Sequence, residues 1–518
     1  MGNIFCECNK RDELNFSESN KSLLSKKKSK KKEMKGFSKN LTKIQNWSTL
    51  RNSSLIGKGV GDPKEKYTFL DQLSKSETSM LYKVKLKKTG ELRSIKIIKK
   101  GDHSMSTEKA IITEIELLET IDHPNILKIY EFYDCPENIC IIGELGRGGP
   151  LSKCIKKIIN ESETVKAHLM FQLLSTVTYC HAMNIMHRDI KPEHILIEKK
   201  SKDGFYYIKL IDFGTAKVFI NLQHQLVGSI HTMAPEVIAG KYNEKCDLWS
   251  CGIILYVLFK GEYPFTGNNQ NELISNISNG YIDLSSPPFD TVSPEAKDLI
   301  QKMIKVDMKT RISASKALEH SWFKKLHIKD SFFELDIEKA KTLLNNIYNY
   351  APSNNLQKPV IAYLVHNYGD KSFLVKAANN LFRKIDINNN GTLDRNEFIK
   401  HCGDYYKKNN QPVDAEYLGT LFDKIDTDKS NQIGYREFIC AAVDKKEFLE
   451  EEMLKDAFNF FDKDNNKKIT IEEVMKAFGT MKGYNQKDFE NILALIDINK
   501  DKYIDYEEFK TMMIRIIE

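Results

Sequence analysis

The chain has 518 residues, a net charge of +7 at pH 7 and 41% hydrophobic residues. That length allows three or more domains, and the balance of apolar and charged residues excludes a wholly disordered or fibrous chain. No apolar run approaches the roughly 18 residues that span a bilayer, and ten cysteines without CxxC spacing or a secretory signal predict reduced cytosolic thiols.

Residues 1 to about 65 are rich in Ser, Lys and Asn and lack apolar periodicity, which predicts a disordered, basic arm. The start MGNIFCEC offers Gly2 for N-myristoylation, with Cys6 standing where Ser or Thr is preferred. Cys6 and Cys8 are candidate palmitoylation sites, and Lys26, Lys27, Lys28, Lys30, Lys31 and Lys32 follow. One myristoyl chain binds membranes only marginally, so a second lipid or a basic cluster is needed for persistence. These features predict a cytoplasmic protein held peripherally at a membrane, against the plainer reading of a solvated or nuclear-import lysine tract. The charge asymmetry argues for a basic arm rather than a nucleic-acid-binding body.

Periodic apolar segments run from Tyr67 to about Phe323. Within them HRDIKPEH (187–194), IDFG (211–214), APE (234–236) and DLWSCG (247–252) fall in order. This ordered set resembles a protein kinase over 67–323. The resemblance implies an α+β fold of two lobes that uses ATP and Mg2+. It implies that Asp189 accepts the substrate hydroxyl proton, that Lys191 stands by the transferred phosphoryl group, and that Asp212 holds magnesium. A lysine at 191 marks a Ser/Thr rather than a Tyr kinase. Lys96 of SIKIIKK would grip the ATP phosphates, tethered by Glu114, and Glu144 would lie at the nucleotide site. His187 and Arg188 would brace the loop, Ser229 would face Asp189, and Glu236 would pair with Arg311.

Three departures stand against these matches. The phosphate-covering loop should carry glycines that let backbone N–H groups approach the phosphates. Here LSKSETSML (73–81) places Ser74, Ser76 and Ser79 at those positions between Leu73 and Leu81. His194 replaces the asparagine expected to hold a second magnesium, and imidazole is a poor ligand for a hard ion. Pro150 in GGPL removes a carboxylate expected to favour basic substrates, leaving Glu193.

A helical stretch bridges to the C-terminal repeats, broken by APSNN at 351–355. In IEKAKTLLNNIYN (337–349), Ile337, Ala340, Leu344 and Ile347 share one face. By resemblance, 324–375 is an autoinhibitory junction that plugs the substrate cleft; the alternative is a plain packing helix.

Four copies of one twelve-residue pattern close the chain: DINNNGTLDRNE (386–397), DTDKSNQIGYRE (426–437), DKDNNKKITIEE (462–473) and DINKDKYIDYEE (497–508). Calcium takes six to eight oxygens, and a helix–loop–helix hand supplies them from positions 1, 3, 5, 7 (backbone), 9 and a bidentate Glu at 12. The predicted ligands are Asp386, Asn388, Asn390, Thr392 and Glu397, then Asp426, Asp428, Ser430, Gln432 and Glu437. The third and fourth loops offer Asp462, Asp464, Asn466, Lys468 and Glu473, then Asp497, Asn499, Asp501, Tyr503 and Glu508. Aliphatic residues at position 8 (Leu393, Ile433, Ile469, Ile504) predict short bridges between paired hands. Position 6 favours positive φ, which suits Gly391 and Asn431 better than Lys467 and Lys502.

With the hands appended, the chain resembles a calcium-dependent protein kinase of the plant and protist type. The implied architecture is the two-lobed kinase followed by an all-α, calmodulin-like domain with hand pairs at 376–445 and 446–518. The implied function is calcium-activated Ser/Thr phosphorylation of protein substrates, by a monomer that binds no nucleic acid. The rival reading is a calcium-sensing pseudokinase scaffold, favoured by Ser74, Ser76, Ser79 and His194 against Lys96, Asp189 and Asp212.

Overall fold

A computed structural model describes residues 55–59, 61–76, 79–100, 111, 114–118, 120–198, 200, 204–219, 222–328, 337–350, 357–369, 372–388, 390–408, 413–427, 429–470, 472–473 and 493–515. The lipidation candidates Gly2, Cys6 and Cys8, the lysine cluster, and Asp428 lie outside these residues.

The first lobe is built on a six-stranded sheet in the order β1-β5-β6-β4-β3-β2. Its strands are β1 (Gly57–Gly59), β2 (Tyr67–Lys75), β3 (Ser79–Leu86), β4 (Leu92–Lys99), β5 (Ile129–Asp134) and β6 (Asn138–Gly143). Side chains alternate between the two faces of a strand. In β6, Ile139 and Ile141 accordingly join one core cluster while Cys140 and Ile142 join another. Register places Lys96 of β4 opposite Leu81 of β3 and Ile141 of β6.

The second lobe is helical. Its helices α1 (Leu151–Ile158), α2 (Glu163–Ala182) and α3 (Cys246–Lys260) carry the catalytic segments between them. Helices that are apolar on all sides belong in an interior, and α2 is buried from Val165 to Cys180, α3 from Cys246 to Phe259. The α3 helix stops at Gly261, whose φ of 81° supplies the left-handed cap.

Beyond these lobes, α4 (Ile337–Tyr348), α5 (Gln357–Tyr368), α6 (Phe373–Ile385), α7 (Arg395–Lys408), α8 (Ala415–Ile425), α9 (Tyr435–Ala442), α10 (Glu451–Phe461) and α11 (Tyr506–Ile514) share one core cluster that reaches from Leu343 to Met513 and also takes in Leu55, so the end of the segment expected to be disordered (1–65) is ordered by apolar burial. The amphipathic stripe of α4 puts Leu343, Leu344 and Ile347 into that core, and Asn346 donates to the Ala442 carbonyl at 2.9 Å. In this arrangement the described apolar face of the junction helix is packed among the hands. Side chains of Ile337 and Ala340 are not among those described. Truncating Leu344, which is 2% exposed, to alanine is expected to destabilise this module by about 2–5 kcal/mol. Calcium-free chemical denaturation of wild type and variant checks this.

All of the α5 helix except Lys358 is buried, and it touches the second hand through α9 and the third through α10. Its C-terminal end also meets the first lobe. His366 Nε2 donates to the Ile129 carbonyl at 2.8 Å, and Arg93 donates to the Asn367 carbonyl at 3.1 Å. Arg383 of α6 reaches Asn125 at 3.1 Å, and Arg436 of α9 pairs with Asp122 at 3.5 Å.

Candidate functional site

The strings HRD and DFG meet in the cleft because buried Asp247 holds the first of them. At the start of α3, Asp247 accepts the His187 and Arg188 N–H groups, each at 2.9 Å, and faces His181 Nε2 at 2.9 Å. These bonds fix a backbone that turns through a positive φ of 69° at Arg188. In the sequence DLWSCG is legible only as a string, and the signal for Asp247 is a carboxylate opening an otherwise apolar helix. Arg188 then donates to the Thr215 carbonyl at 2.6 Å, tying the loop to the segment after Asp212.

Asp189 is 8% exposed. Its Oδ1 accepts the Ser229 N–H at 2.9 Å and its Oδ2 lies 3.1 Å from Lys191 Nζ. Lys191 in turn donates to the Ser229 hydroxyl at 2.7 Å. Burial alone would raise the Asp189 carboxyl, but Lys191 and the Ser229 bond outweigh it and hold the group below its ordinary range. Asp189 is therefore held ionised beside a cation. Beneath this segment Glu236 and the buried Arg311 form the expected pair, with one bond at 2.8 Å.

Asp212 sits at φ 63°, a left-handed turn that points its carboxylate at Lys96, 3.9 Å away. Burial opposes its ionisation, and Lys96 overcomes that, keeping Asp212 below the usual carboxylate range. For Lys96 burial works downward, and the charges of Glu114 and Asp212 hold the ammonium above its ordinary value. Glu114 acts on Lys96 through its charge rather than through a direct bond. Its carboxylate accepts the Phe213 N–H, and among the described residues the ion pair of Lys96 is with Asp212.

The loop over the cleft is a hairpin closed by serine hydroxyls. Ser79 N–H donates to Ser76 Oγ at 3.0 Å, and the two hydroxyls meet at 2.9 Å. Ser74 pairs with Leu81 across the hairpin, and none of the three serines has a positive φ. Backbone strain therefore does not demand glycine here; the missing glycines bear on how closely phosphate can approach. Leu73 is 40% exposed. The Glu144 carboxylate pairs with Lys209 at 2.9 Å, and the Glu144 carbonyl accepts the Ser94 hydroxyl at 2.9 Å. Pro150 caps α1 without a side-chain bond, and Glu193 stands exposed.

His194 ends a single turn of 3-10 helix (Pro192–His194). Its Nδ1 donates to the Asp189 carbonyl at 2.9 Å, and its Nε2 lies 3.4 Å from Asp212 Oδ2. Burial lowers its pKa to about 4, so the ring is neutral at pH 7.

The four loops share one hydrogen-bond scheme. The Asp at position 1 accepts the N–H of position 5 at 3.1, 3.0, 3.1 and 3.1 Å in chain order. Its second oxygen accepts the N–H of position 6 at 2.9, 2.9, 2.9 and 2.8 Å. The Glu at position 12 accepts the N–H of position 9 at 3.1, 2.9, 2.9 and 3.1 Å. Position 6 has φ of 78°, 63°, 65° and 68°, so Lys467 and Lys502 adopt the same turn as Gly391 and Asn431. Leu393 bridges Ile433, and Ile469 bridges Ile504, which couples the loops in pairs. Asp462, Asp464 and Glu473 bring their carboxylates within 4.8 Å of one another, a spacing that one cation would neutralise.

Lys468 is the exception. Its ammonium bonds the Asp501 carboxylate of the fourth loop at 2.8 Å, a partly exposed ion pair that calcium binding there would have to break. Lys468→Ala is expected to tighten the fourth site by at most about fivefold, because exposed pairs are weak. Calorimetric titration with calcium reads this directly.

Residues 67–323 match the protein kinase domain, and 363–443 and 451–514 each match the EF-hand domain pair. The chain is 33% identical over 499 residues to calcium-dependent protein kinase 4 of Plasmodium berghei (strain Anka), with 94% of this chain and 92% of that protein covered. It is also 33% identical over 490 residues to calcium-dependent protein kinase 4 of Plasmodium falciparum (isolate 3D7), covering 92% and 90%. With calcium-dependent protein kinase 5 of the same organism it shares 34% over 454 residues, covering 86% and 77%.

Proposed function

Because the chain belongs to the calcium-dependent protein kinase family, we propose that Asp189, Lys191, Lys96 and Asp212 carry its phosphoryl transfer and that the four hands switch it on. It is a serine/threonine protein kinase that uses ATP with Mg2+ and binds Ca2+ at EF-hands. The observation that carries the site assignment is the Asp189–Lys191–Ser229 cluster facing Asp212 across His194. Asp189 takes the proton of the incoming hydroxyl, and Lys191 steadies negative charge beside it. Lys96 orients the phosphates. Asp212, held ionised, fits a hard divalent cation, whereas the neutral imidazole in the neighbouring place does not fit Mg2+. Magnesium, when bound, neutralises the phosphate charge that builds during transfer.

For regulation, the α4 face that packs among the hands is the one that would have to leave them to cover the substrate cleft. Calcium, by ordering the hands around Leu343, Leu344 and Ile347, would keep that face out of the cleft. The test is phosphorylation of protein or peptide with radiolabelled ATP, with and without calcium. Wild-type protein that neither binds ATP nor labels any substrate with calcium, magnesium and manganese present would be a calcium-sensing scaffold instead.

We also propose attachment to a membrane through Gly2, Cys6 or Cys8 and the lysines at 26–32. Single weak anchors add up to persistent binding. Gly2→Ala is expected to move most of the protein to the soluble fraction on cell fractionation. A Gly2→Ala protein that still sediments with membranes would remove the lipid anchor from this reading.

A further inference from the structure

Along α6, Lys376, Asn379, Asn380 and Arg383 recur at the spacing that puts residues on one side of a helix. The other side, with Ala378, Leu381, Phe382 and Ile385, enters the core of the hands. The polar side lines a cavity of about 500 Å³ whose far wall is the kinase domain. That wall includes Asn125, Lys128 and the connector from β6 to α1, represented by Glu144 and Arg147. Neither Lys96 nor Asp212 lines it, so the cavity is separate from the catalytic cleft. Its volume is that of a small-molecule site.

Seven cationic side chains and four carboxylates line this space. Three of the carboxylates are already paired, Glu91 with Arg93 at 3.4 Å, Glu144 with Lys209 at 2.9 Å and Asp122 with Arg436 at 3.5 Å. Arg383 is the cation left over at the centre of the argument. Its Nη2 donates to Asn125 Oδ1 at 3.1 Å, its Nε is buried without a hydrogen-bond partner, and among the described residues it makes no ion pair. Its charged plane lies 6.0 Å from the Tyr207 ring, which offers an aromatic face but no counter-charge. A cation withdrawn from water without an opposite charge is costly, and the planar guanidinium fork matches the oxygens of a phosphate.

We propose that this cavity binds a small phosphate monoester, with Arg383 as its anchor. The positive surplus favours a dianion over a singly charged carboxylate, and the volume admits a small ester rather than a folded partner. A ligand held there touches the hands and the kinase domain together. It therefore stabilises their docked arrangement over any arrangement that lacks the cavity.

The test uses the full-length protein with saturating calcium and follows phenyl phosphate by calorimetry, with benzoate in parallel. Wild type is expected to bind phenyl phosphate more tightly than benzoate. Arg383→Gln should weaken phenyl phosphate by about 10- to 100-fold, the usual loss for a charge-assisted bond. Lys96→Met, altered in the nucleotide cleft, should bind it as wild type does. Loss of binding in Lys96→Met would place the anion at the nucleotide phosphates and overturn the proposal. Binding unchanged in Arg383→Gln would mark an adventitious ion only, on surface lysines, and overturns it too. So does an absence of binding to wild type, or benzoate binding as tight as phenyl phosphate. If Arg383→Gln fails to fold, diffraction from wild-type crystals grown with phenyl phosphate decides. Phosphate density beside Arg383 upholds the proposal, and density only elsewhere refutes it.

Discussion

Asp189→Asn is expected to lower phosphoryl transfer by about 10²- to 10⁴-fold, the usual contribution of a positioned general base. The amide is nearly isosteric, so it keeps the Ser229 N–H bond of 2.9 Å but cannot take the hydroxyl proton. ATP binding and calcium binding should be unchanged, because Asp189 touches neither Lys96 nor the hands. Steady-state kinetics with a serine peptide, together with calorimetry for ATP and calcium, separates these effects. A loss of less than about tenfold would show that substrate positioning rather than proton acceptance dominates in this cleft. Lys96→Met should differ in kind, weakening ATP as well as slowing transfer, since the ammonium serves the phosphates and balances the Asp212 carboxylate.

The second large effect lies far from the chemistry, at Gly391. A Cβ built there would sit 2.2 Å from Cδ2 of Tyr179, on the α2 helix of the kinase domain. The first calcium loop is therefore packed directly against the catalytic lobe. Lys467 and Lys502 take the same positive φ in their own loops, so a lysine at this position is tolerated by the turn itself. Gly391→Lys is thus expected to disturb calcium binding at the first hand only modestly while driving that loop off Tyr179. Overpacking of a close contact costs about 1–3 kcal/mol, or roughly 5- to 150-fold in the docked population. Calcium-activated turnover should fall accordingly, with the basal rate unaffected. Hydrogen exchange around Tyr179 and calcium titration of the same variant distinguish loss of docking from loss of calcium. Equal exchange in wild type and variant would show that the contact does not report the active arrangement.

The docked surface depends on more than this contact. His366 and Arg93 bond to backbone carbonyls, and Arg383 to a neutral amide. Such bonds are satisfied only when both surfaces are in place. They favour a few discrete arrangements over gradual movement, as expected of a two-state switch.

The sequence by itself determined what is local. Twelve-residue loops carry their ligands and their turn within one short segment, so Asp386 to Glu397 and its three relatives were legible down to individual positions. The same holds for Asp189 and Lys191, two residues apart on one loop. Asp247, the direction of the Glu114 carboxylate, and the burial of α4 and α5 among the hands were decided only by tertiary structure. Each depends on groups far apart in the chain, such as Asp247 with His187 or Gly391 with Tyr179, and spacing encodes nothing about such distances. Gly391 shows the division most clearly. Its φ of 78° belongs to the loop pattern, but the need for a hydrogen rather than a methyl group comes from a ring more than two hundred residues earlier. His194 is the second case: the sequence marked it as a departure, and only the carbonyl at 2.9 Å decided which nitrogen faces Asp212. Local propensity writes the parts, while close packing, which leaves no room for an extra methyl group, decides how they meet.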